Sequence, residues 1–445
     1  MSTETAGDSS REIADVLVIG AGIAGLAAAR ALAERGLRTL VVEARDRVGG
    51  RIHSLQTSEG VVELGAEFVH GRDAKLWELI EEAGAETIER EGAMLREDAD
   101  GELVGEQDAA AGESDSLAEL AHLPDDMSFA AWLASSDVPK ERHRALLGYV
   151  EGFNAADAMR ISARALAVQQ RAEDSIEGDR VWHVRGGYSQ LTTYLANRVR
   201  VAGGEVRLSC VVRSVRWSAG QVVIDTSSGV HHAQRCIVTL PLGVLQIVNR
   251  DGGIRFDPEP RAIAEARRLA MGSAERFTME FRERWWEQSK RVNEKALRVM
   301  SFLFTYRRSP PVWWTRYPEP EALATVTGWA GGPRAAELIG RSEEELGEQA
   351  CRDLAQVFGV PEQLVRDSLI ATHRNDWQLD PFSCGAYTYV PVNAIDAPLR
   401  MTEAEGDTLF FAGEHTDTSG NWGTVHAALR TGLRAAEQVF NAVKG

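Results

Sequence analysis

The hydrophobic pattern near the N-terminus predicts a strand, a tight turn, a helix and a second strand in close succession. Residues 15–19 form an apolar run, and residues 20–25 read Gly-Ala-Gly-Ile-Ala-Gly. An Ala/Leu-rich helical pattern then continues to about Arg35, and Gly36 ends it. A second strand is predicted from Arg38 to Val42. This order of elements is typical of a βαβ unit that binds a dinucleotide.

Each glycine of this unit has its own physical role. Gly20 makes the tight turn, Gly22 lets the backbone approach a pyrophosphate, and Gly25 lets the helix pack on the strand. The N-terminus of the helix offers free N–H groups to the phosphates. Glu43, at the end of the second strand, suits a pair of ribose hydroxyls and would repel a 2′-phosphate, so FAD or NAD is favoured over NADP. A glycine-rich core is the alternative.

The segment that follows, residues 45–51, favours a flavin over a nicotinamide cofactor. It contains a second glycine pair, Gly49 and Gly50, followed by Arg51. These residues put another close backbone approach and a fixed cation beside the same pyrophosphate, which simple nicotinamide dehydrogenases do not need. Arg45 and Arg51 are therefore candidates for cofactor binding, and a solvated basic turn is the alternative.

The rest of the chain alternates between helical and strand patterns, which predicts an α/β fold with a Rossmann-like FAD-binding domain interleaved with a mixed α+β substrate domain. The predicted helices are residues 74–84, most of 129–197, and 424–439; the strands are 205–217, 221–226, 235–240 and 408–412; and 89–116 is a hairpin or a mobile insertion. The expected division is a disordered tail at 1–13, an FAD-binding domain at 14–90, 203–270 and 390–445, and a substrate-binding domain at 91–202 and 271–389.

The composition excludes several classes of protein but does not alter the predicted fold. The 445 residues are 44% hydrophobic and 26% charged, which is ordinary for a globular protein, and the net charge is −17. This charge argues against nucleic acid and anionic membrane as partners and is compatible with attracting amines. The longest apolar stretch, residues 16–29, is too short to cross a membrane, and with a polar N-terminus a cytoplasmic location is expected. The four cysteines lack metal-type spacing, so no metal site is predicted.

The region 271–389 has most of the aromatic residues and is expected to supply a substrate chamber. For any single tryptophan, plain core packing is the alternative, and neighbours on a strand face opposite ways. The tryptophans concerned are Trp285, Trp286, Trp313, Trp314, Trp329 and Trp377.

Beyond these patterns, several motifs spread over nearly the whole chain occur in the order in which a known protein family has them. Besides the N-terminal unit they are residues 63–71 (ELGAEFVHG), 186–188 (GGY), 377–387, 411–416 (FAGEHT), 423–428 (GTVHAA) and Gly432. In them the chain resembles the flavin-dependent amine oxidases, the group of monoamine oxidases, polyamine oxidases and lysine-specific histone demethylases. The resemblance implies FAD as the cofactor.

The resemblance also implies roles for individual residues. Glu414 contacts the ribityl-pyrophosphate, Val212 offers its backbone to the adenine, and Thr424 and Val425 begin a helix whose amides face the flavin carbonyls. A buried strand position for Val212 and a solvated, helix-flanking carboxylate for Glu414 are the alternatives. The cofactor-binding candidates together are Gly20, Gly22, Gly25, Glu43, Arg45, Gly50, Arg51, Gly65, Ala66, Glu67, Val212, Gly413, Glu414, Thr424 and Val425.

On the substrate side, Ala386 stands where mitochondrial monoamine oxidases have the cysteine joined to the flavin, so noncovalent FAD is expected. Cys384 is two residues away and, by strand alternation, would face the same side. Tyr387 resembles one wall of an aromatic cage with Thr424 opposite, as in spermine-type oxidases and histone demethylases. His70 matches a histidine at the substrate mouth of animal polyamine oxidases, and a capping or surface role is its alternative.

The largest departure from the family pattern is Arg276. Counting back from Trp285 and Trp286, Arg276 occupies the place of the lysine that holds a water against flavin N5 in most of these oxidases. Arginine keeps the charge but is a longer, planar fork that cannot deprotonate near neutral pH. This places ordinary oxygen reactivity in doubt, and a strand residue in an ion pair is the alternative.

The resemblance implies an enzyme that oxidises the C–N bond of an amine by hydride transfer to flavin N5, with imine hydrolysis and reoxidation by O2 to give H2O2. A polyamine or another aliphatic amine is favoured, because the cage has only Tyr387 opposite Thr424 and the net charge is strongly negative. One alternative is a flavin desaturase or dehydrogenase that acts on C–C bonds or uses another electron acceptor. Another is a flavin-binding scaffold without turnover. The sequence leaves the oligomeric state open.

Overall fold

The computed structural model describes residues 13–57, 60–98, 100–105, 117, 120, 123–305, 307–319 and 324–444. The fold is mixed α/β, as the sequence predicts. The disordered tail expected at residues 1–13 lies outside the described residues except for Ile13, and so do residues 106–116 of the polar stretch.

The predicted βαβ unit lies at the centre of the larger of the two main sheets. The strand Ala14–Ile19 pairs in parallel with Thr39–Val42 on one side and with Gly229–Val238 on the other. In the described chain this sheet has eight strands, with Leu409–Phe411 beside the end of Gly229–Val238 and the others in the order Glu205–Arg207, Thr39–Val42, Ala14–Ile19, Gly229–Val238, Gln221–Thr226, Val212–Ser218 and Arg255–Asp257.

The single strand predicted at residues 205–217 was wrong, because it is two strands at distant places in this sheet. Glu205–Arg207 pairs in parallel with Thr39–Val42 at one edge, whereas Val212–Ser218 lies between Gln221–Thr226 and Arg255–Asp257 near the other edge. Between them Ser209 has a φ of 52°, in the left-handed region, which breaks the extended conformation.

The second main sheet brings together segments from the middle of the chain. Its second strand, Ala274–Phe281, is buried at every position and pairs with a neighbouring strand on each side. Ala93–Glu97 and Leu103–Gly105 form an antiparallel pair, which confirms the hairpin predicted within residues 89–116. The strand order over the described residues is Leu369–Arg374, Ala274–Phe281, Ala324–Gly331, Val312–Trp314, Met300–Phe304, Ala93–Glu97 and Leu103–Gly105.

The described residues also form three smaller sheets, one of three strands and two of two strands. The mainly helical stretch predicted at residues 129–197 contains one of their strands, Val181–Val184, whose Val-Trp-His-Val sequence suits a pleated, buried surface. The small sheets are Phe68–His70, Val181–Val184 and Thr87–Glu89; Ser54–Gln56 and Val61–Glu63; and Ala270–Met271 and Thr388–Tyr389.

Helices cover the faces of the sheets. The α-helices of the described residues are Ile23–Ala33, Ala74–Glu82, Phe129–Ser135, Lys140–Asn154, Ala163–Asp174, Ser189–Val201, Leu242–Gln246, Arg261–Ala266, Glu294–Arg298, Glu343–Phe358, Glu362–Ser368, Ala397–Arg400 and Val425–Lys444. The short 3₁₀ turns are Trp285–Gln288, Gly332–Glu337 and Glu414–Thr416. No helix in this part of the chain is long and apolar enough to span a membrane.

The first helix, Ile23–Ala33, packs against both Val425–Lys444 and Ser189–Val201 in one hydrophobic core. The sequence boundaries place Ser189–Val201 in the substrate-binding segment 91–202, but this packing joins it to the first main sheet. The division into two domains stays a prediction, and we count this helix with the FAD-binding segments because a helix belongs with the core in which it is buried.

Candidate functional site

A cavity of about 2350 Å³ is lined by residues of both main sheets and of the segments between them. Of the candidate catalytic and cofactor-binding residues predicted from the sequence, only Gly25 is not part of the cavity wall. Those that line the cavity are Gly20, Gly22, Glu43, Arg45, Gly50, Arg51, Gly65, Ala66, Glu67, His70, Val212, Arg276, Tyr387, Gly413, Glu414, Thr424 and Val425.

The glycines of the first turn differ in what a side chain would meet. A Cβ at Gly25 would lie 2.0 Å from the carbonyl oxygen of Gly20, so the helix could not pack on the strand. Gly22 has φ −70° and ψ 174°, which any residue can adopt, and a Cβ there would meet no protein atom within 4 Å. The packing of the protein therefore does not require glycine at position 22, whereas the close approach of a pyrophosphate does.

Glu43 connects the glycine turn with the end of the second strand. Its Oε2 accepts a hydrogen bond from the Ala21 N–H at 2.7 Å, and its Oε1 accepts one from the Arg45 N–H at 2.9 Å. The side chain is buried and lies on the cavity wall. Each carboxylate oxygen has a second lone pair, so Glu43 can still accept from a ribose hydroxyl.

Arg45 and Arg51 do not belong to a solvated turn, because both make hydrogen bonds to distant residues. Arg45 donates from Nη2 to Asp380 Oδ1 at 2.6 Å and to Ser383 Oγ at 3.2 Å. Arg51 donates from Nη1 to the Ala386 carbonyl oxygen at 2.7 Å. Both cations thus tie the cofactor segment to residues 380–386, several of which also line the cavity.

Glu414 is buried, which excludes the solvated carboxylate considered from the sequence. Its Oε1 accepts from Arg51 Nη1 at 2.9 Å and from Thr388 Oγ1 at 3.2 Å, and its Oε2 accepts from the Gly423 N–H at 3.0 Å. Glu414 therefore holds Arg51 on one side and the turn before the last helix on the other. Val212, whose role also had a structural alternative, is a buried strand residue and lines the cavity as well.

The last helix begins at the cavity wall. The Thr424 hydroxyl donates to the Asn421 carbonyl oxygen at 2.7 Å and accepts from the Ala427 N–H at 3.2 Å, which is the pattern of an N-cap. Val425 follows as the first residue of the helix Val425–Lys444. The positive end of the helix dipole is thus directed at the cavity, where it favours a ligand group that gains negative charge.

An aromatic wall faces this part of the cavity. The rings of Tyr387 and Trp329 stack with centroids 6.4 Å apart and an angle of 10°, and Trp314 extends the wall at 6.3 Å from Trp329. Phe68 follows at 5.4 Å from Trp314. The Tyr387 hydroxyl donates to the Phe153 carbonyl oxygen at 2.6 Å, and burial raises the pKa of Tyr387, so it stays a neutral phenol.

The expected arrangement of Tyr387 with Thr424 opposite is therefore incomplete. The partner that stacks on Tyr387 is Trp329, for which the sequence predicts no specific role. Tyr387 also contacts the turn before the last helix, because a Cβ at Gly423 would lie 2.8 Å from its ring. Trp313 and Trp314 show the alternation expected on a strand, since Trp313 is in the core and Trp314 lines the cavity.

The prediction that Cys384 faces the same side as Ala386 was wrong. Residues 384–386 form a bend rather than a strand, with Cys384 at φ 52° and Gly385 at φ 142°, and the strand begins only at Thr388. Strand alternation does not apply to such a segment. Ala386 lines the cavity and Cys384 does not, which agrees with a cofactor that is not joined to the chain.

Arg276 lines the cavity and is at the same time the cation of a buried ion pair. Its Nη2 donates to Glu67 Oε2 at 2.7 Å, its Nη1 donates to the Gly65 carbonyl oxygen at 2.6 Å, and the guanidinium lies 5.6 Å from the centre of the Trp314 ring. Burial, the largest single effect, would raise the pKa of Glu67, but the surrounding positive charges, Arg276 foremost, together outweigh it and the pKa falls to about 2. The pair is therefore ionised and its charges compensate.

A second layer of hydrogen bonds fixes Glu67. Its Oε2 also accepts from Trp314 Nε1 at 3.1 Å, and its Oε1 lies 3.3 Å from His183 Nδ1. Burial lowers the pKa of His183 to about 3, so the ring is neutral. Since Arg90 donates to His183 Nε2 at 2.7 Å, the ring proton is on Nδ1 and points at Glu67. Glu67 is thus committed to protein partners.

His70 and Glu173 are further titratable residues on the cavity wall. His70 contacts Phe68 and Phe153 edge to face, with centroids 6.0 and 5.9 Å apart, and burial lowers its pKa to about 4. The ring is therefore neutral near pH 7. Glu173 lies in the helix Ala163–Asp174, is buried, and has no sequence pattern that marks it. No group of three or more metal-binding side chains is found among the described residues.

The chain matches one protein family and several known proteins over most of its length. The family model described as flavin containing amine oxidoreductase matches residues 23–440. Polyamine oxidase 2 of Arabidopsis thaliana is 28% identical over an alignment of 457 positions that covers 95% of this chain and 87% of that protein. Lysine-specific histone demethylase 1 homolog 2 of the same plant is 26% identical over 96% of this chain, which spans only 58% of that relative.

Solved structures share the fold. Wild-type putrescine oxidase bound to putrescine matches with a TM-score of 0.80 at 22% identity, over 96% of this chain and 99% of that one. Cyclohexylamine oxidase from Brevibacterium oxydans matches with a TM-score of 0.81 at 21% identity, over 97% and 100% of the two chains. Both alignments cover nearly the whole of this chain.

We predict that Gly22→Val weakens cofactor binding without destabilising the apoprotein. The valine side chain projects into the cavity, where it meets no protein atom but occupies the space of the pyrophosphate. FAD affinity from fluorescence titration should fall at least about ten-fold, while the unfolding temperature of the apoprotein stays within about one degree. Gly25→Ala is the matched control, because it should lower the apoprotein unfolding temperature. Unaltered FAD affinity in Gly22→Val would remove this turn from the site.

A second prediction concerns the buried pair of Arg276 and Glu67. Arg276→Met removes the ion-pair partner of the buried Glu67 carboxylate and should lower the free energy of unfolding by about 3–5 kcal/mol. Adding Glu67→Gln should restore a large part of this loss, because the remaining amide needs no counter-charge. Denaturant unfolding of the two single variants and the double variant measures the coupling. Additive losses would show that the two side chains do not stabilise each other.

Proposed function

This chain belongs to the flavin-containing amine oxidoreductases, and from that premise we propose that it oxidises the C–N bond of a polyamine or another aliphatic amine. The observation that supports the proposal best is the aromatic wall formed by Tyr387, Trp329 and Trp314 on the same cavity as the glycine turn and the N-terminus of the last helix. A cofactor held by the glycine turn and an amine held by the wall would then share one water-poor space.

FAD is held noncovalently, and when bound it supplies the acceptor for the hydride of the C–H bond next to nitrogen. Gly20, Gly22 and Glu43 would hold its dinucleotide part. Thr424 and Val425 would direct helix amides at the ring system, where negative charge grows on reduction. These assignments rest on the fit of the residues to the cofactor, above all on the open space at Gly22.

The chain's own residues prepare the amine. A charged ammonium cannot give up a hydride, so it must first lose a proton, and a poorly hydrated aromatic wall lowers its pKa by desolvation. Tyr387 is a neutral phenol committed to Phe153 and cannot act as a base. His70 is a neutral imidazole on the cavity wall whose lowered pKa makes it a weak base, so we propose that it accepts a hydrogen bond from the amine while water carries the proton away.

A cationic aliphatic substrate fits the charge of the molecule. The net charge of −17 raises the local concentration of cations, and the faces of Trp329 and Tyr387 attract an ammonium group through their electron-rich rings. The aromatic wall is larger than expected from the sequence and also accommodates an aromatic amine. The preference for a polyamine therefore rests on its larger positive charge rather than on a narrow cage.

We further propose that O2 accepts the electrons and yields H2O2, with Arg276 as the charged group that promotes this step. The Arg276 charge lies on the cavity wall but is compensated by Glu67, which limits its effect on a forming anion. A dehydrogenase that passes electrons to another acceptor is the second candidate, and this compensation is the observation in its favour.

An amine panel tests the proposal. Anaerobic mixing of the FAD-loaded protein with putrescine, spermidine, butylamine, benzylamine and phenylethylamine should bleach the flavin absorbance, fastest with the aliphatic amines. Air should restore the colour with one H2O2 for each amine oxidised. A higher kcat/KM for benzylamine than for every aliphatic amine would refute the substrate class, and amine-dependent bleaching without peroxide would favour the dehydrogenase.

The role of Arg276 is tested by separating the two half-reactions in a stopped-flow instrument. Arg276→Met should slow the reaction with oxygen by about ten-fold or more, as expected for one lost electrostatic contact. Reduction by the amine should change far less. Arg276→Lys should retain or increase the oxygen rate, because the shorter ammonium leaves room for a water. An oxygen rate unaffected by Arg276→Met would leave Arg276 with only its structural role.

A further inference from the structure

One carboxylate on the cavity wall is buried without a partner. Glu173 is 8% exposed and lines the same cavity as Tyr387 and Trp329. Neither of its oxygens has a hydrogen-bond partner within the described part of the chain. A buried carboxylate is normally paired or hydrogen-bonded, because removing its charge from water is unfavourable. Glu173 is therefore an exception to this rule.

The backbone around Glu173 leaves room for its side chain. A Cβ at Gly178 would lie 2.2 Å from Glu173 Oε2, so only glycine fits beneath the carboxylate. The Asn421 side chain is the nearby polar group that opposes the rise in the pKa of Glu173, yet its amide nitrogen also has no partner at bonding distance. Asn421 accepts from Thr424, so Glu173 lies beside the loop that leads to the last helix.

The charges around Glu173 do not neutralise it. Burial, the largest effect, raises the pKa of Glu173 to about 7, and the charge of Asp174 raises it further. Arg430 is the cation that opposes this rise, but it already binds Asp73 at 2.6 Å and Asp417 at 3.1 Å. Glu173 also lies in the last turn of its helix, where the helix dipole disfavours an anion.

We propose that Glu173 binds a second cationic nitrogen of the substrate, so that the amine of this enzyme is a diamine or a polyamine. This inference rests on the proposed function and names the substrate class of the same site. An ammonium group would supply the partner that both carboxylate oxygens lack, in a charge-assisted hydrogen bond. The end that is oxidised would lie at the aromatic wall, and the chain between the two nitrogens would cross the cavity.

The test compares diamines with monoamines of the same chain length. In Glu173→Gln, kcat/KM for putrescine, cadaverine and spermidine should fall by about ten- to a hundred-fold, the loss expected for a hydrogen bond between charged groups. The values for butylamine and pentylamine should stay within about three-fold. Asp367→Asn is the matched control, because it removes the same charge from an exposed side chain that accepts from Gln363 and does not line the cavity. Its effect should be small and equal for both classes.

Equal losses for diamines and monoamines in Glu173→Gln, or no loss for either, would overturn the proposal. A probe that cannot be oxidised separates it from the proposed function: putrescine with both amine-bearing carbons fully methylated has no hydrogen to transfer. Calorimetric titration of the FAD-loaded protein should show this diamine binding at least about ten-fold more weakly to Glu173→Gln. Unaltered binding would refute the role of Glu173 even if no amine is turned over.

Stability distinguishes a binding role from a structural one. The pKa of Glu173 is raised in the folded protein, so ionisation disfavours folding, and this penalty is complete above about pH 7. Glu173→Gln should therefore raise the unfolding temperature at about pH 8, and this gain should vanish near pH 4, where the carboxyl is protonated in both states. A lower unfolding temperature at both pH values would make Glu173 a structural residue and overturn the proposal.

Discussion

Backbone-to-backbone contact around the first helix is the constraint on which the rest of the site depends. A Cβ at Gly25 would lie 2.0 Å from the Gly20 carbonyl oxygen, and one at Gly432 would lie 2.1 Å from the Ala24 carbonyl oxygen. No side chain fits at either contact. The helices Ile23–Ala33 and Val425–Lys444 are thus held together at a distance that only glycine permits, and both begin at the same cavity. Two helix dipoles consequently act on one ligand.

Three ion pairs connect segments of the cavity wall that are far apart in the sequence. Arg45 binds Asp380, Arg51 binds Glu414, and Arg276 binds Glu67, across 335, 363 and 209 residues of sequence. Each pair has at least one side chain that is largely buried, where an unpaired charge would be unfavourable. These ion pairs therefore hold the distant segments of the cavity wall next to each other.

The local part of this arrangement was readable from the sequence, because the glycine turn, Glu43 and the helix start have physical requirements that act within a few residues. Cys384 was misassigned, because a positive φ at a non-glycine residue leaves no pattern in a sequence and alternation was assumed instead. The stacking of Trp329 on Tyr387 and the isolation of Glu173 could not be read, because each depends on contacts between segments far apart in the chain. The family resemblance supplied positions but not these partners.

The size of the cavity links the lifetime of the protein to its cofactor. A space of about 2350 Å³ at the junction of two sheets separates side chains that would otherwise pack together, so the folded state gains stability from whatever ligand fills it. That gain equals RT ln(1 + [L]/Kd) and grows with the concentration of free ligand. A cell short of riboflavin would hold more of this chain in partly open forms that proteases attack, so vitamin supply would set the amount of enzyme as well as its activity.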